Sequence, residues 1–407
     1  MNSSRRFELQ EKRSGQERLF ERLFMLGLSL GPVYLFPSGL PQVSDWLLAV
    51  WAGVTLLTRA GTARRVLNFG PMFFGALLTT YIILVNVVWA LYLGDVRVAY
   101  NSLFYIFNFM VMWALSTSIR NSREQWRTVL SRALVIIAAV LLVMFALRFD
   151  PGRVRQTAGF NNPNQLAYYS LLLFCGAFVV FQRTQWTSFR FLFVIGISLM
   201  MILFSSSLSA IAGLSAAILG ASLTAGVRRL GRFLRTAALI TLVLGIGLAS
   251  SGLYDALANQ IRVRFTAADR KVANAVDERG YSRILEYPEY VILGAGEGAR
   301  YRFGPEHSHE LHSSLGTLLF SYGVPGLAFF LLMLLFVLRR KRFSVWLLTM
   351  APLIYSLSHQ GLRTTLFWIF LTIVWLYAPE TRTAFAPWGS MLREISSTPG
   401  YTRARSN

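Results

Sequence analysis

Three of the four histidines in the chain lie close together, as His307, His309 and His312, with Glu310 between them. An imidazole changes its charge near neutral pH, so a histidine beside carboxylates at an aqueous face is suited to proton transfer. Zinc binding is an alternative, but His-x-His-x-x-His is not a strong zinc pattern, and HExxH is absent. A surface histidine without a role is the third interpretation. We predict proton transfer and no metal.

Two arginines lie close together in a second polar stretch, 150–164, which also contains turn-forming residues. A guanidinium group can form two parallel hydrogen bonds to phosphate oxygens, and it stays charged at all physiological pH values. Arg153 and Arg155 are therefore candidate ligands of a diphosphate. The Gly and Asn-Pro residues predict a turn, and we expect Asn164 to cap the helix that follows. A capped loop without a binding role explains the same residue types.

A third stretch, 279–298, combines charged residues with closely spaced glycines. It contains Arg283, Glu286, Gly294 and Gly296. The glycines are not a nucleotide-binding fingerprint, because no strand-to-helix context surrounds them and no GKS or GKT follows. They predict a tight backbone path, either in a simple turn or near a ligand.

Membrane-spanning helices must hold these three stretches. Of the 407 residues 54% are hydrophobic and only 14% are charged, and the mean hydropathy is +0.48. Long blocks without charge fit helices that cross the bilayer, and the alternation of a membrane barrel is absent. We predict an all-α, polytopic bundle of about twelve transmembrane helices with one large external, periplasmic loop. The predicted spans are 19–36, 43–58, 67–93, 99–119, 133–147, 165–182, 191–206, 208–226, 236–251, 323–338, 343–358 and 364–378.

The distribution of positive charge predicts the orientation. A cytoplasmic N-terminus puts the basic connectors, such as 339–342, inside the cell, as the positive-inside rule requires. The net charge of +21 therefore indicates topogenic loops beside anionic lipid and not nucleic-acid binding. The predicted organisation is a cytoplasmic tail (1–18), helices one to nine (19–251), a large periplasmic loop with the motifs (252–322), helices ten to twelve (323–378) and a cytoplasmic tail (379–407).

The third motif carries a family resemblance. The stretch from His312 to Gly326 resembles the signature of the O-antigen ligase and polymerase superfamily of membrane glycosyltransferases, in which a histidine precedes an apolar helix and a Gly-x-x-Gly. The stretch 153–164 resembles the Arg…Gly-Phe…Asn-Pro-Asn motif of that family, and 283–296 resembles its loop arginine followed by Gly-x-Gly. The resemblance covers about 148–342, and the rest of the chain agrees only in topology.

The chain departs from the family pattern at two places. Ser313 replaces the asparagine that usually follows the histidine. The family often has Ser-Arg at the outer turn between the seventh and eighth spans, where this chain has serines and a leucine at 205–209. Arg363, between the last two spans, is our candidate for the arginine that is missing there.

The resemblance implies a reaction and a set of roles. Members transfer a glycan from undecaprenyl diphosphate to an acceptor hydroxyl at the outer face of the bacterial inner membrane, and they need no cofactor because the leaving group is already a diphosphate. Arg153, Arg155 and Arg283 are then expected to bind the diphosphate. His312 is expected to accept the hydroxyl proton, oriented by Glu310 or Glu286, with inversion at the anomeric carbon. The residues expected to support the site are Asn161, Asn164, Gly294, Gly296, His309, Ser313 and Tyr322.

Two enzymes of this kind, a polymerase and a ligase, differ in the acceptor that receives the glycan. A polymerase joins lipid-linked repeat units into O-antigen, capsule or exopolysaccharide, whereas a ligase transfers the glycan to lipid A–core. We favour a polymerase, because Glu-Leu-His-Ser-Ser and Arg-Gly-Tyr-Ser-Arg look more like members involved in capsule or exopolysaccharide. Membrane lipid and other polysaccharide-assembly proteins are the further expected partners.

Two other classes of protein remain open. A flippase of lipid-linked sugars would carry ionisable residues and broken helices in mid-membrane, and the sequence places few ionisable residues there. A non-catalytic scaffold of a polysaccharide synthase would tolerate loss of His312 or Arg283.

Overall fold

The computed structural model describes residues 3–37, 39–150, 152–153, 155–225, 231, 262, 266, 279–304 and 310–381. Within these ranges the regular elements are all helical, so the predicted all-α class is confirmed. Five helices are long and apolar enough to cross a membrane, or six if one bent pair counts as a single span. The predicted span 236–251 and much of the predicted periplasmic loop lie outside the described residues.

Fifteen α-helices are numbered here in chain order. They are α1 (Ser3–Ser29), α2 (Val43–Thr58), α3 (Ala60–Leu67), α4 (Gly70–Leu93), α5 (Arg97–Tyr100), α6 (Ser102–Asn121), α7 (Arg123–Arg148), α8 (Pro163–Val180), α9 (Phe189–Ser205), α10 (Leu208–Ala225), α11 (Ser282–Glu286), α12 (Tyr290–Leu293), α13 (Ser314–Leu338), α14 (Phe343–Ser356) and α15 (Thr365–Tyr377). Short 3₁₀ helices cover Arg183–Gln185 and Arg300–Phe303.

The helix ends differ from the predicted spans at several places, and α7 begins at Arg123, ten residues before the predicted span 133–147. Helix α1 ends at Ser29, before Gly31 and Pro32, because a proline disfavours helical geometry in the residue before it and donates no backbone hydrogen bond. Helix α13 begins at Ser314, inside the segment assigned to the external loop. Helices α2 and α3 meet at a bend of 97°, so the basic connector after the second predicted span is itself helical.

Helix α8 lies at the centre of the bundle. Every residue from Leu166 to Val180 is buried, and the helix packs against α7, α9, α10, α14 and α15. Helix α10 approaches α14 closely through small residues, as membrane helices often do. A Cβ atom added to Gly213 would lie 2.6 Å from the backbone oxygen of Ala351, so the contact requires the glycine.

A backbone segment of the loop region docks into a break in α13. The break is at Gly323, whose φ of 63° and ψ of −172° are not helical. The carbonyl groups of Phe320 and Ser321 accept hydrogen bonds from the backbone N–H groups of Ala295 and Gly296, both at 2.9 Å. The docked segment therefore satisfies carbonyl groups next to the break, which buried backbone requires.

Glycine is needed on both sides of this contact. Gly294 has a φ of 101°, and a Cβ atom there would lie 2.6 Å from the Cα atom of Tyr322. A Cβ atom on Gly323 would lie 2.6 Å from the backbone oxygen of Ile292. The predicted tight backbone path at Gly294 and Gly296 is therefore present, and it exists because two backbones approach each other closely.

We predict that Gly294→Ala lowers the stability of the purified protein by on the order of 1–3 kcal/mol, because alanine strains the positive φ and pushes the segment away from α13. The measurement is the thermal unfolding midpoint in lipid discs. Gly176→Ala in α8 is the matched control, since a Cβ atom there meets nothing within 4 Å. Equal midpoints for the two variants would contradict the close-contact explanation.

Candidate functional site

Polar side chains of α4 and of the α5–α6 junction hold the backbone of segment 293–297. Such side chains, within helices that are otherwise apolar, indicate a fixed docking position for the segment. The four hydrogen bonds run from Tyr81 Oη to Leu293 O (2.8 Å), from Trp89 Nε1 to Gly294 O (2.9 Å), from Glu297 N to Asn86 Oδ1 (2.9 Å) and from Asn101 Nδ2 to Glu297 O (2.8 Å).

The carboxylate of Glu297 ends this segment and is buried, with only 5% of the residue exposed. It accepts a hydrogen bond from Tyr322 Oη at 2.6 Å and forms an ion pair with the guanidinium of Arg363. Asn86 Nδ2 donates in turn to Tyr322 Oη at 3.2 Å. A buried charge costs much free energy unless it is paired and hydrogen-bonded, and both conditions are met here.

Arg363 continues the network to a second carboxylate. Its Nη1 lies 3.4 Å from Glu310 Oε1, and the same oxygen lies 2.7 Å from Arg300 Nη2. Burial alone would lower the pKa of Arg363, but Glu297 and Glu310 outweigh it and raise that pKa. Burial would likewise raise the pKa of Glu310, yet Arg363 and Arg300 hold it below its usual value. We call Glu297, Arg300, Glu310 and Arg363 the ion network.

Arg283 lies beside the ion network and is buried. Its guanidinium carbon lies 5.2 Å from the ring centroid of Phe303 and 5.8 Å from that of Phe320, within cation–π range. Burial lowers the pKa of Arg283, and the neighbouring charge of Arg300 acts in the same direction. Arg283, Gln360 and the ion network line a cavity of about 40 Å³, which has room for a few water molecules.

A second group of polar residues forms around Arg155. Its Nη2 donates to Asn164 Oδ1 at 2.6 Å, and its Nε donates to Ser205 O at 2.8 Å. Tyr355 Oη donates to Asn164 O at 2.7 Å, and the ring of Tyr355 stacks on that of His359 at 4.7 Å between centroids. The stretch before α8, the end of α9 and the connector after α14 therefore meet at one place.

The loop region brings two more basic side chains to this place. His312 is exposed, and its backbone N–H donates to Arg279 O at 3.0 Å. Burial lowers the pKa of His359 to about 3, and the positive groups of Arg279, His312 and Arg155 act in the same direction. We call Arg155, Arg279, His312 and His359 the basic cluster. Its two arginines, Arg155 and Arg279, are suited to an anion with several oxygens, such as a diphosphate.

The other predicted polar residues take local positions. Arg153 pairs with Asp150 at 3.1 Å in an exposed ion pair, and Asn161 Nδ2 donates to Phe36 O at 3.1 Å. Glu286 is exposed at the end of α11 and interacts electrostatically with Arg283. His309 lies outside the described residues.

Two residues of the sequence motifs are the N-terminal caps of helices α8 and α13. The cap of α8 is Asn162, whose side chain accepts from Gln165 N at 3.0 Å, so the prediction that Asn164 caps this helix was wrong. Pro163 occupies the first helical position, as prolines often do, and this moves the cap two residues upstream. Ser313 caps α13 by accepting from Gly316 N at 3.0 Å, and it also accepts from Tyr281 Oη at 2.7 Å.

Four residues of the ion network and the basic cluster were not predicted from the sequence: Arg279, Glu297, Arg300 and His359. Arg279 stands in the same stretch as Arg283, and His359 is the one histidine outside the 307–312 group. Their basic side chains and their predicted location on the external side were the clues that could have identified them. Glu297 stands between two glycines, Gly296 and Gly298, in a stretch whose glycines predict a tight backbone path. Its burial follows from the docking into α13, which no local pattern predicts.

No protein-family model matches the chain, and no curated protein matches it either. Among the described residues, no three histidine, cysteine or acidic side chains come together as metal ligands.

Removing the buried carboxylate in Glu297→Ala is predicted to cost roughly 3 kcal/mol of stability, because Arg363 loses a buried partner and Tyr322 loses its acceptor. Asp150→Ala is the control, since it breaks an exposed ion pair that is worth under about 1 kcal/mol. The measurement is chemical denaturation of the purified variants in lipid discs. A loss no larger than that of the control would show that the ion network does not hold the segment.

The pKa of His359 predicts a pH dependence of stability. The folded protein leaves His359 neutral down to about pH 3, whereas the unfolded chain protonates it near pH 6.5. Stability should therefore be lost as the pH falls below 6.5, by roughly 2 kcal/mol at pH 5. His359→Gln should lose correspondingly less between pH 7.5 and pH 5, measured as unfolding midpoints. The same loss in both proteins would contradict the prediction.

Proposed function

We propose that this chain is a membrane glycosyltransferase that transfers a glycan from undecaprenyl diphosphate to an acceptor hydroxyl. The observation that carries the proposal is the basic cluster, where residues from all three sequence motifs or their immediate neighbours meet. Arg155 comes from the first motif, Arg279 from the stretch of the second and His312 from the third. Motifs that are far apart in the sequence and close together in the fold are typical of a shared binding site.

The basic cluster is the proposed site of the donor diphosphate. Arg155 contacts Ser205 O, at the turn between α9 and α10 where members of the family often carry Ser-Arg. We therefore assign to Arg155 the role of the missing arginine. Arg363, first considered for that role, is engaged by two carboxylates, and we assign it to holding segment 293–297. Charge that develops on the departing diphosphate is stabilised by Arg155 and Arg279.

His312 is the proposed general base. It accepts the proton of the acceptor hydroxyl while that oxygen forms a bond to the anomeric carbon. The bond from the anomeric carbon to the phosphate oxygen breaks, and the diphosphate leaves with the electron pair. Glu310 interacts electrostatically with His312 and is the better supported of the two orienting carboxylates. The proton passes from His312 to water after the transfer.

The proposal includes the topology of the chain. The apolar helices of the described residues support a membrane protein. We propose twelve spans in the bacterial inner membrane, with both termini in the cytoplasm and the basic cluster at the periplasmic face. The exposed side of His312 then faces the compartment that holds the lipid-linked glycans. Between the two acceptors we propose a polymerase, with ligation to lipid A–core as the alternative.

A flippase of lipid-linked sugars is the second candidate, and one observation favours it. Helix α13 is broken at Gly323, and the carboxylate of Glu297 is buried next to the break. Broken helices beside buried ionisable groups are common in transporters. In this chain, however, the break is occupied by the docked segment 293–297. We therefore rank transport below transfer.

We predict that His312→Ala lowers polymer formation by about 10² to 10⁴-fold, because the hydroxyl proton loses its acceptor. Arg155→Lys should also fail, since lysine keeps the charge and loses the paired donors of the guanidinium. The measurement is complementation of a deletion strain at matched membrane expression, with lipid-linked glycans read by gel and mass spectrometry. Arg148→Ala, an exposed arginine at the end of α7, is the control and should behave as wild type.

The three functions differ in what the His312→Ala strain accumulates. Single repeat units on the outer leaflet indicate a polymerase, and long chains that never reach lipid A indicate a ligase. Repeat units trapped on the inner leaflet indicate a flippase. Normal polysaccharide in both the His312→Ala and Arg155→Lys strains would exclude the proposed site.

A further inference from the structure

A surface pocket of about 490 Å³ lies beside Arg300 of the ion network. Its volume falls within the range of sites that hold small molecules. The pocket is lined by Asp95, Arg97, Asn101, Gly298, Ala299, Arg300 and Tyr301. These residues lie between α4 and α6 and at the 3₁₀ helix after the docked segment, and Gly298 alone among them belongs to a stretch that the sequence analysis identified.

The polar side chains of the pocket are planar and able to form paired hydrogen bonds. Arg97 donates to Asp95 through Nε at 2.9 Å and through Nη2 at 3.2 Å. This hydrogen bonding lowers the pKa of Asp95, so the carboxylate stays charged. Oδ1 also accepts from the backbone N–H of Arg97 at 3.1 Å, whereas Oδ2 keeps a lone pair for a further donor. Asn101 donates through Nδ2 to Glu297 O, and its Oδ1 accepts no hydrogen bond from the described residues. A ligand with hydroxyl groups on adjacent carbon atoms could form hydrogen bonds with these donors and acceptors together.

An aromatic ring completes the pocket. Tyr301 is 65% exposed, and it lies close enough to Arg97 to interact with it electrostatically. An exposed tyrosine beside planar polar groups offers a flat apolar face together with hydrogen-bonding partners. A pyranose ring has the complementary chemistry, because its C–H groups cover an aromatic face while its hydroxyl groups point outward.

The pocket is connected with the proposed reaction centre. Asn101, Gly298 and Arg300 line both the pocket and the small cavity beside the ion network. The same cavity is lined by Leu311 and Gln360, the sequence neighbours of His312 and His359. The surface pocket and the small cavity therefore adjoin each other at Asn101, Gly298 and Arg300, and the small cavity reaches the residues next to His312 and His359 in the sequence.

We propose that this pocket binds a pyranose ring of the acceptor glycan, at a distance from the sugar whose hydroxyl attacks. The inference rests on the proposed function and adds the place of the acceptor to it. Because the bound ring does not react, the pocket sets the affinity for the acceptor and leaves the bond-forming step unchanged.

The test measures glycan binding to the full chain in lipid discs. The probe is the free oligosaccharide released by mild acid from the lipid-linked pool of the deletion strain, and binding is followed by saturation-transfer NMR. We expect Tyr301→Ala to weaken binding roughly tenfold, as loss of an aromatic contact would. Asp95→Asn should weaken it as well. Tyr92→Ala is the matched control, because Tyr92 is 78% exposed and lies outside the pocket lining.

Each outcome separates this inference from the proposed function. Unchanged binding in Tyr301→Ala and Asp95→Asn, or no binding to the wild type, would overturn the inference and leave the role of His312 intact. Specific glycan binding lost in Tyr301→Ala supports the pocket. If the His312→Ala strain then still makes normal polymer, the proposed function fails while the glycan site stands.

Discussion

The buried carboxylate of Glu297 is the constraint on which the rest of the described site depends. A charge at 5% exposure is tolerated only if strong partners surround it, and Arg363 and Tyr322 supply them. Those partners come from the connector before α15 and from α13, while Asn86 of α4 holds the backbone N–H of Glu297. Glu297 therefore ties three parts of the bundle to the docked segment, two through its side chain and one through its backbone N–H. The glycines around it make this possible, because the backbone of 293–297 lies against the broken helix without space for a Cβ atom.

The same arrangement separates the charges of the site into two groups. The carboxylates of Glu297 and Glu310 are paired with Arg363 and Arg300, so these charges largely compensate one another. Around Arg155 the neighbouring charges that act on His359 are all positive, and they hold its pKa low together with burial. A positive group that is destabilised by its neighbours is stabilised again when an anion arrives. This difference is the physical reason for proposing that the diphosphate binds at the basic cluster. It is also the reason for proposing that a neutral sugar binds in the pocket beside the ion network.

The sequence allowed some features to be predicted because they depend on local chemistry. Long uncharged blocks predict buried or membrane helices, and most described helices coincide with such blocks. The tight path at Gly294 also followed from residue type alone. The cap of α8 was misassigned, because Asn162 and Asn164 are both good capping residues and Pro163 decides between them. The convergence of Arg155, Arg279 and His359 is a tertiary feature. These residues lie far apart in the chain and meet only through the packing of α8, α9 and α14.

The start of α13 explains why His312 and His359 keep a fixed relation to each other. The N–H of Ser314 donates to His359 O at 3.2 Å, and the N–H of Gly316 donates to the hydroxyl of Ser313. The first turn of α13 is thus joined both to the connector that carries His359 and to the residue after His312. Ser313 supplies the cap of this helix, and asparagine is an equally good capping residue. The positive end of the helix dipole also adds to the potential near His312, which favours an anion there. The break at Gly323 allows this short first part of α13 to be oriented by these contacts independently of the longer part that follows.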